Sequence, residues 1–181
     1  LSRAKTPDPA ARAATLIELG DWYLIGGAIS RAHDAYRQGW NEAGTAGGDA
    51  RTPLTAPRRL AYKPPSISVT RMAPSRPEEF EERYVELRFT VGKDGKVSAV
   101  ETAASNAPAA AEKSVQFAVR KSRYAPRLDN GEPVETTGVL WRERVLIRKG
   151  SAPATPAVPA APTVAPAASP ETQPATPPAS P

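Results

Sequence analysis

The feature of the sequence that most restricts the fold is the segment RYVELRFTVGKDGKVSAV, residues 83–100. Apolar and polar residues alternate through its first half, which is the period of a half-buried β-strand. The apolar positions are Val85, Leu87, Phe89 and Val91. Asp94-Gly95 then supplies the positive φ that a hairpin turn needs. A two-stranded hairpin is at best marginally stable in water, so this one requires further strands or a helix.

Partners for the hairpin follow it in the sequence. The pattern over residues 109–121 predicts a helix with one apolar side. That side is formed by Ala111, Val115, Ala118 and Val119. After a turn at Asp129-Asn130-Gly131, a last strand carries Val139, Trp141, Val145 and Ile147 on one face. We therefore predict an α+β domain of β-β-α-β order, in which one helix covers a three-stranded antiparallel sheet.

Residues 10–42 predict two helices. Leu16, Leu19 and Tyr23 are spaced three and four apart, Gly26-Gly27 interrupts the pattern, and Ile29, Ala32 and Tyr36 resume it. A glycine pair costs about 2 kcal/mol inside a helix, so it favours the turn of an αα-hairpin. The residues Leu19-Gly20, Tyr23, Ala32 and Tyr36 resemble one tetratricopeptide repeat. A helical hairpin that only caps a core explains the pattern equally well.

The remaining segments divide the chain. We expect an extension over residues 1–9, the helical hairpin over 10–44, a linker over 45–60 and the β-β-α-β domain over 61–149. Within that domain, Ile67–Val69 is a candidate short edge strand. Residues 150–181 are rich in Pro and Ala and predict a disordered tail, which is a solubilising end, a spacer or a ligand for a Pro-binding partner.

The second domain resembles the C-terminal domain of the TonB family. The shared elements are an alternating strand, an Asp-Gly turn, a helix ending in R-[FY]-x-P, then N-G-x-P-V and a final strand. They are filled here by Phe89, Asp94, Gly95, Val97, Arg123, Tyr124, Pro126, Asn130, Gly131, Pro133 and Val134. The Pro-rich segment follows this domain, whereas in a TonB energy transducer it precedes it. Arg83 and Ser122 stand where the family commonly has Gly and Trp.

The resemblance implies that the last strand binds a partner peptide by strand addition. The implied peptide-binding residues are Val139, Leu140, Trp141, Arg142, Arg144, Val145 and Ile147, with a second contact at Tyr62 and Pro64. Trp141 is the expected aromatic anchor. Alternatively, Trp141 belongs to the core, and Ile67–Val69 or a second copy closes the edge.

The sequence shows no pattern of catalytic or metal-binding residues. It has no Cys, and its single histidine, His33, lacks the companions that a metal site or a catalytic triad requires. The run Glu78, Glu79, Glu81 and Glu82 is typical of a solvated segment. Lys and Arg number 24 against 19 Asp and Glu, a mild excess without any nucleic-acid-binding motif. We expect no enzyme activity, no cofactor and no nucleic-acid partner.

These observations give two functional hypotheses. In the first, the chain is a periplasmic TonB-family protein that binds a protein or peptide, with an outer-membrane TonB-dependent transporter as the implied partner. In the second, it is a scaffold that binds partners through the helical hairpin at Tyr23 and Tyr36. The start at Leu1 rather than Met predicts a removed signal or membrane anchor.

Overall fold

A three-stranded antiparallel sheet organises the second half of the structure, which is a computed structural model describing residues 8–150. The strand order is β3-β2-β7. The helices are α1 (Pro9–Ile25), α2 (Ile29–Ala46) and α3 (Ala109–Arg120), with short 3-10 turns at Gly48–Leu54 and Pro77–Glu79. The strands are β1 (Arg58–Ala61), β2 (Phe80–Val91), β3 (Val97–Ser105), β4 (Arg123–Ala125), β5 (Arg127–Asp129), β6 (Glu132–Val134) and β7 (Thr136–Arg148).

The apolar face of this sheet packs against α3, as the sequence predicts. The four alternating residues of β2 are at most 1% exposed, and the predicted apolar side of α3 is buried against them. The turn between β2 and β3 closes with the N–H of Gly92 donating to the carbonyl of Lys96, and Gly95 adopts a φ of +72°. The prediction of a β-β-α-β domain is therefore confirmed.

The two N-terminal helices form the predicted antiparallel hairpin, but the buried stripe of α1 differs from the expected one. The apolar spacing in the sequence is that of Leu16, Leu19 and Tyr23, whereas Ala13, Ile17, Gly20 and Leu24 are the buried residues. The reason is the ring of Tyr36, which is fully buried and lies where a side chain at Gly20 would be. This rotates α1 and leaves Leu19 40% exposed.

The hairpin packs directly on the smaller strands of the second domain. Ile17, Leu24 and Tyr36 share a core with Ala125 of β4 and Leu128 of β5. Polar contacts reinforce this packing. Asp21 accepts hydrogen bonds from Tyr36 and Arg58, and Arg37 forms an ion pair with Glu132. The Nε2 atom of His33 lies 2.9 Å from the carbonyl oxygen of Lys93.

The segment predicted as a linker, residues 45–60, carries regular structure. It contains the end of α2, the 3-10 turn Gly48–Leu54 and the start of β1, which pairs with β4. Leu54 is only 1% exposed because it fills the core between the hairpin and β5. The linker prediction is wrong here because its Gly, Thr and Pro residues mark turns within a folded segment.

The predicted disordered tail lies outside the described residues, apart from Gly150, as do the first seven residues of the chain. Within residues 8–150, no helix has the length and apolar character needed to cross a membrane.

We expect Gly20→Ala to destabilise the fold by about 1–3 kcal/mol, although alanine favours a helix over glycine by about 1 kcal/mol. A Cβ atom at position 20 would lie 2.5 Å from a ring carbon of Tyr36, which has no room to move. Urea unfolding followed by circular dichroism measures the change. Gly26→Ala at the exposed end of α1 is the matched control, with an expected change below about 0.5 kcal/mol; equal effects of both variants would contradict this account.

Candidate functional site

The outer side of β7 is the edge at which the sequence places a binding site. Alternate residues of an antiparallel pair direct their backbone groups toward the partner strand, and in β7 the odd-numbered residues direct theirs toward β2, for example Trp141 opposite Leu87 and Glu143 opposite Val85. The backbone groups of its even-numbered residues consequently point away from the sheet. This orientation is visible at Arg144, whose carbonyl accepts a hydrogen bond from the N–H of Val69 at 3.0 Å.

Residues 67–69, which we call the strap, cover one end of this edge. Ser68 lies opposite Val145 in an antiparallel bridge, and the N–H of Leu146 donates to the carbonyl of Ile67 at 2.8 Å. The chain then turns away, because the N–H groups of both Arg71 and Met72 donate to the carbonyl of Ser68. The alternative that Ile67–Val69 closes the edge therefore holds, but only opposite residues 144–146.

The rest of the strand, residues 139–143, is what we call the open edge. Within residues 8–150, the outward N–H and C=O groups of Leu140 and Arg142 have no hydrogen-bond partner. The Leu140 side chain is 57% exposed. The register with β2 is continuous from Phe80 to Phe89, so no bulge interrupts the open edge.

The opposite edge of the sheet, β3, is less suited to strand addition. Its register with β2 shifts twice, and Ala99 adopts a φ of +48°. Bulges of this kind twist an edge and interrupt the row of backbone groups that a new strand would use. The open edge of β7 is therefore the better acceptor of the two.

On the solvent face of β7, the arginines are held by β2. Arg142 pairs with Glu86 at 2.9 Å and its guanidinium lies 4.5 Å above the ring of Tyr84, while Arg144 pairs with Glu82 at 3.2 Å. These contacts stabilise the two-strand register. The side chain of Arg144 lies beside the strap rather than the open edge, so it is poorly placed for the peptide contact that we expected.

On the core face, an aromatic pair borders the open edge. The rings of Trp141 and Tyr62 meet edge to face with centroids 5.8 Å apart. The guanidinium of Arg59 lies over both rings, 4.1 Å from the Trp141 centroid and 5.0 Å from the Tyr62 centroid. Trp141 thus packs on the core, as one of the two alternatives had it, and also lines the space beside the open edge, while its role as a peptide anchor stays a prediction.

These residues line a cavity of about 460 Å³ beside the open edge. Its walls are Arg59, Leu60, Tyr62, Pro64, Thr70, Trp141 and Glu143. Within the described chain, the guanidinium of Arg59 makes no hydrogen bond or ion pair, so its N–H donors remain available in the cavity.

The floor of the cavity is the carboxylate of Glu143, which is 5% exposed. It accepts hydrogen bonds from the hydroxyl of Tyr62 at 2.8 Å, from the indole N–H of Trp141 at 3.2 Å and from the hydroxyl of Ser68. Burial raises the pKa of Tyr62, and the bond to Glu143 raises it further, so this phenol stays protonated well above neutral pH.

Several predicted site residues have other roles in the structure. Val145 is fully buried in the core, and Ile147 is partly buried against the same core. Tyr36, predicted on the hairpin surface, is wrong as a surface residue, because its ring is 0% exposed and its hydroxyl donates to Asp21. Tyr23 is half-buried against the hairpin core.

Sequence reasoning missed Glu143 and Arg59. Glu143 did leave a signal: it is the one charged residue among the odd positions of an otherwise apolar strand face, and such a residue requires buried partners. Arg59 left no comparable signal, because its position depends on the pairing of β1 with β4. Among residues 8–150, no cluster of three or more His, Asp or Glu side chains is arranged to hold a metal ion.

The fold and the site together define a class of small α+β domain: a three-stranded sheet covered by one helix, with a partly open edge strand flanked by aromatic side chains. Residues 80–142 match the family described as Gram-negative bacterial TonB protein C-terminal. The match includes β2, β3, α3 and the first half of β7, about a third of the chain. It supports the TonB resemblance of this segment, whereas the tetratricopeptide resemblance stays a prediction. No curated protein matches the chain.

We expect Tyr62→Phe to weaken the fold by about 1.5–3 kcal/mol at neutral pH, because it removes a hydrogen bond to a buried carboxylate. The variant should also change how the free energy of unfolding depends on pH in the alkaline range. The folded protein keeps the Tyr62 proton above pH ~10, where an unfolded tyrosine loses it, so this group's contribution to stability is present below pH ~10 and falls as pH rises. Without the hydroxyl, that part of the decline disappears.

Urea unfolding at pH 7, 10, 11 and 12 measures both effects. Tyr84→Phe is the control at neutral pH, because the Tyr84 hydroxyl makes no hydrogen bond within the described chain. Parallel alkaline profiles for the wild type and Tyr62→Phe would show that the Tyr62 proton is not held by the fold.

Proposed function

We propose that this chain is a non-enzymatic cell-envelope protein that binds a peptide segment of a partner protein by strand addition to the open edge of β7. The observation that carries the proposal is the unpaired outward N–H and C=O groups of Leu140 and Arg142 on a regular strand. The match of residues 80–142 to the C-terminal domain of TonB supports a place in the Gram-negative envelope.

The geometry assigns different roles to the two faces of a bound strand. Side chains of an added strand alternate between faces, so residues opposite Trp141 would point toward the core face and enter the cavity beside Tyr62. Residues opposite Leu140 and Arg142 would lie on the solvent face. Backbone hydrogen bonds would supply affinity, and the cavity would supply selectivity.

The family match makes an outer-membrane TonB-dependent transporter the first partner to test. In this proposal, the peptide comes from the plug region of the transporter, and the chain serves in TonB-linked transport across the outer membrane. Support for this partner is the family match alone.

We expect Arg142→Pro to raise the dissociation constant of a transporter plug peptide at least tenfold. Proline has no N–H to donate, and its ring would occupy the outer side of the strand, yet it leaves the ladder to β2 intact because that ladder uses the odd-numbered residues. A tenfold change equals about 1.4 kcal/mol, the size of one or two net hydrogen bonds. An NMR titration of the full chain with the peptide measures the change.

Arg142→Ala is the matched control. It removes the contacts with Glu86 and Tyr84 but keeps the backbone N–H, so peptide affinity should stay within about threefold of the wild type. Amide shifts should concentrate on residues 139–143. Unchanged affinity in Arg142→Pro, or no shifts at millimolar peptide, would rule out strand addition at this edge.

The helical hairpin offers a second candidate function, docking of a partner protein in a scaffold. The observation that favours it is an exposed apolar strip on α1: Trp22 is 74% exposed, Ile25 is 47% exposed and Leu19 is 40% exposed. Tyr23 borders this strip, whereas the buried Tyr36 does not.

Two variants distinguish the two proposed functions. If the hairpin is the docking surface, Trp22→Ala abolishes capture of the partner and Arg142→Pro has no effect. If the open edge is the binding site, the outcome is reversed. Because Trp22 is exposed, its replacement should leave the melting temperature within about 2 °C of the wild type.

A further inference from the structure

A second concave surface lies on the other side of Pro64 from the cavity beside the open edge. It is a groove of about 530 Å³ between the segment before the strap and the exposed side of α3. One wall is formed by Lys63, Pro64, Pro65, Ser66 and Arg71, and the other by Lys113, Ser114, Phe117, Ala118 and Lys121. We call it the basic groove.

The charge of the basic groove is uncompensated. It is lined by four cationic side chains and no acidic one. Within residues 8–150, none of these four forms an ion pair, and Arg71 only donates to the carbonyl of Pro64 at 3.0 Å. On the sheet, by contrast, Arg142, Arg144 and Arg148 each pair with a glutamate of the β2 side. The groove therefore favours a negatively charged ligand.

The spacing on α3 indicates an elongated ligand. A single stripe on α3 is formed by residues four positions apart, Lys113, Phe117 and Lys121. The rise along the helix axis from Lys113 to Lys121 is about 12 Å. An extended peptide covers that distance with four or five residues. Acidic side chains at both ends of such a peptide would reach the two lysines.

The middle of the stripe is apolar. The Phe117 ring is 58% exposed and faces a wall that contains Pro64 and Pro65. The ammonium of Lys121 lies over this ring, 4.2 Å from its centroid, so a cation and an apolar surface are presented together. A simple anion such as phosphate would make no apolar contact with Phe117, whereas a peptide with an apolar side chain between two acidic residues would cover the ring.

We propose that the basic groove is a second binding site, which takes an extended acidic peptide segment with an apolar residue at its centre. The terminal segments of this chain do not have that chemistry: residues 1–7 contain no acid, and residues 151–181 contain only Glu171. The proposed occupant is a segment of a partner protein, whose acidic residues the four cationic side chains of the groove would attract. The groove shares Pro64 with the cavity beside the open edge but none of the residues 139–143, so binding in the groove does not depend on strand addition.

The test uses the full chain and a fluorescein-labelled pentapeptide, Glu-Asp-Leu-Asp-Glu, followed by fluorescence anisotropy at low salt. We expect saturable binding that weakens as salt rises. The double variant Lys113→Glu, Lys121→Glu should raise the dissociation constant at least tenfold, and Phe117→Ala at least threefold. All three positions are exposed, so the fold should be retained.

The matched control is the double variant Lys93→Glu, Lys149→Glu, which makes the same charge change at exposed positions outside the groove. Its dissociation constant should stay within twofold of the wild type. Equal weakening by both double variants would reduce the effect to general charge attraction and overturn the proposal. Binding that does not saturate at millimolar peptide would also overturn the proposal. A third contrary result is that the chain binds phosphatidylglycerol vesicles more tightly than the peptide and loses this binding in Phe117→Ala, which would make the groove a membrane contact.

Discussion

The carboxylate of Glu143 determines where the sheet edge is open. A buried charge costs several kcal/mol unless hydrogen bonds satisfy it. Here Tyr62, Ser68 and Trp141 provide them, and two of these residues belong to the segment that crosses the edge of β7. That segment is therefore held where the strap pairs with residues 144–146, and it leaves residues 139–143 uncovered. One side chain thus ties the core, the strap and the aromatic wall of the site together.

The helical hairpin contributes to the same arrangement from the other end of that segment. Arg58 opens β1 and pairs with Asp21 of α1, while Asp21 also accepts the hydroxyl of Tyr36. The next residue, Arg59, lies over Trp141 and Tyr62 at the site. Because β1 is held between the hairpin and β4, the position of Arg59 depends on helices far from it in sequence. The hairpin and the sheet domain are consequently one packed unit around this segment.

Local patterns predicted the elements well and the contacts between them poorly. Period-two alternation identified β2 and β7, and the apolar side of α3 was read correctly, because each pattern reports its own burial. The stripe of α1 was misplaced because Gly20, which has no side chain to signal burial, lies against the Tyr36 ring. The linker at residues 45–60 was misjudged for a related reason, since only Leu54 there carries an apolar signal. The extent of the open edge was equally hidden, because it depends on the strap, a contact between residues about 75 positions apart.

The shortness of the open edge has a consequence for the lifetime of any complex formed there. Within the open edge, Leu140 and Arg142 present the outward backbone groups, enough for about four hydrogen bonds with a net value of roughly 0.5–1.5 kcal/mol each. Association itself costs on the order of 4–15 kcal/mol in lost freedom of motion. Backbone pairing over this distance is therefore insufficient for a long-lived complex, and a longer pairing would have to displace the strap and strip Glu143 of a hydrogen bond. A complex formed by strand addition there would therefore dissociate quickly, at a rate that depends on how well the partner's side chains fill the cavity beside Trp141.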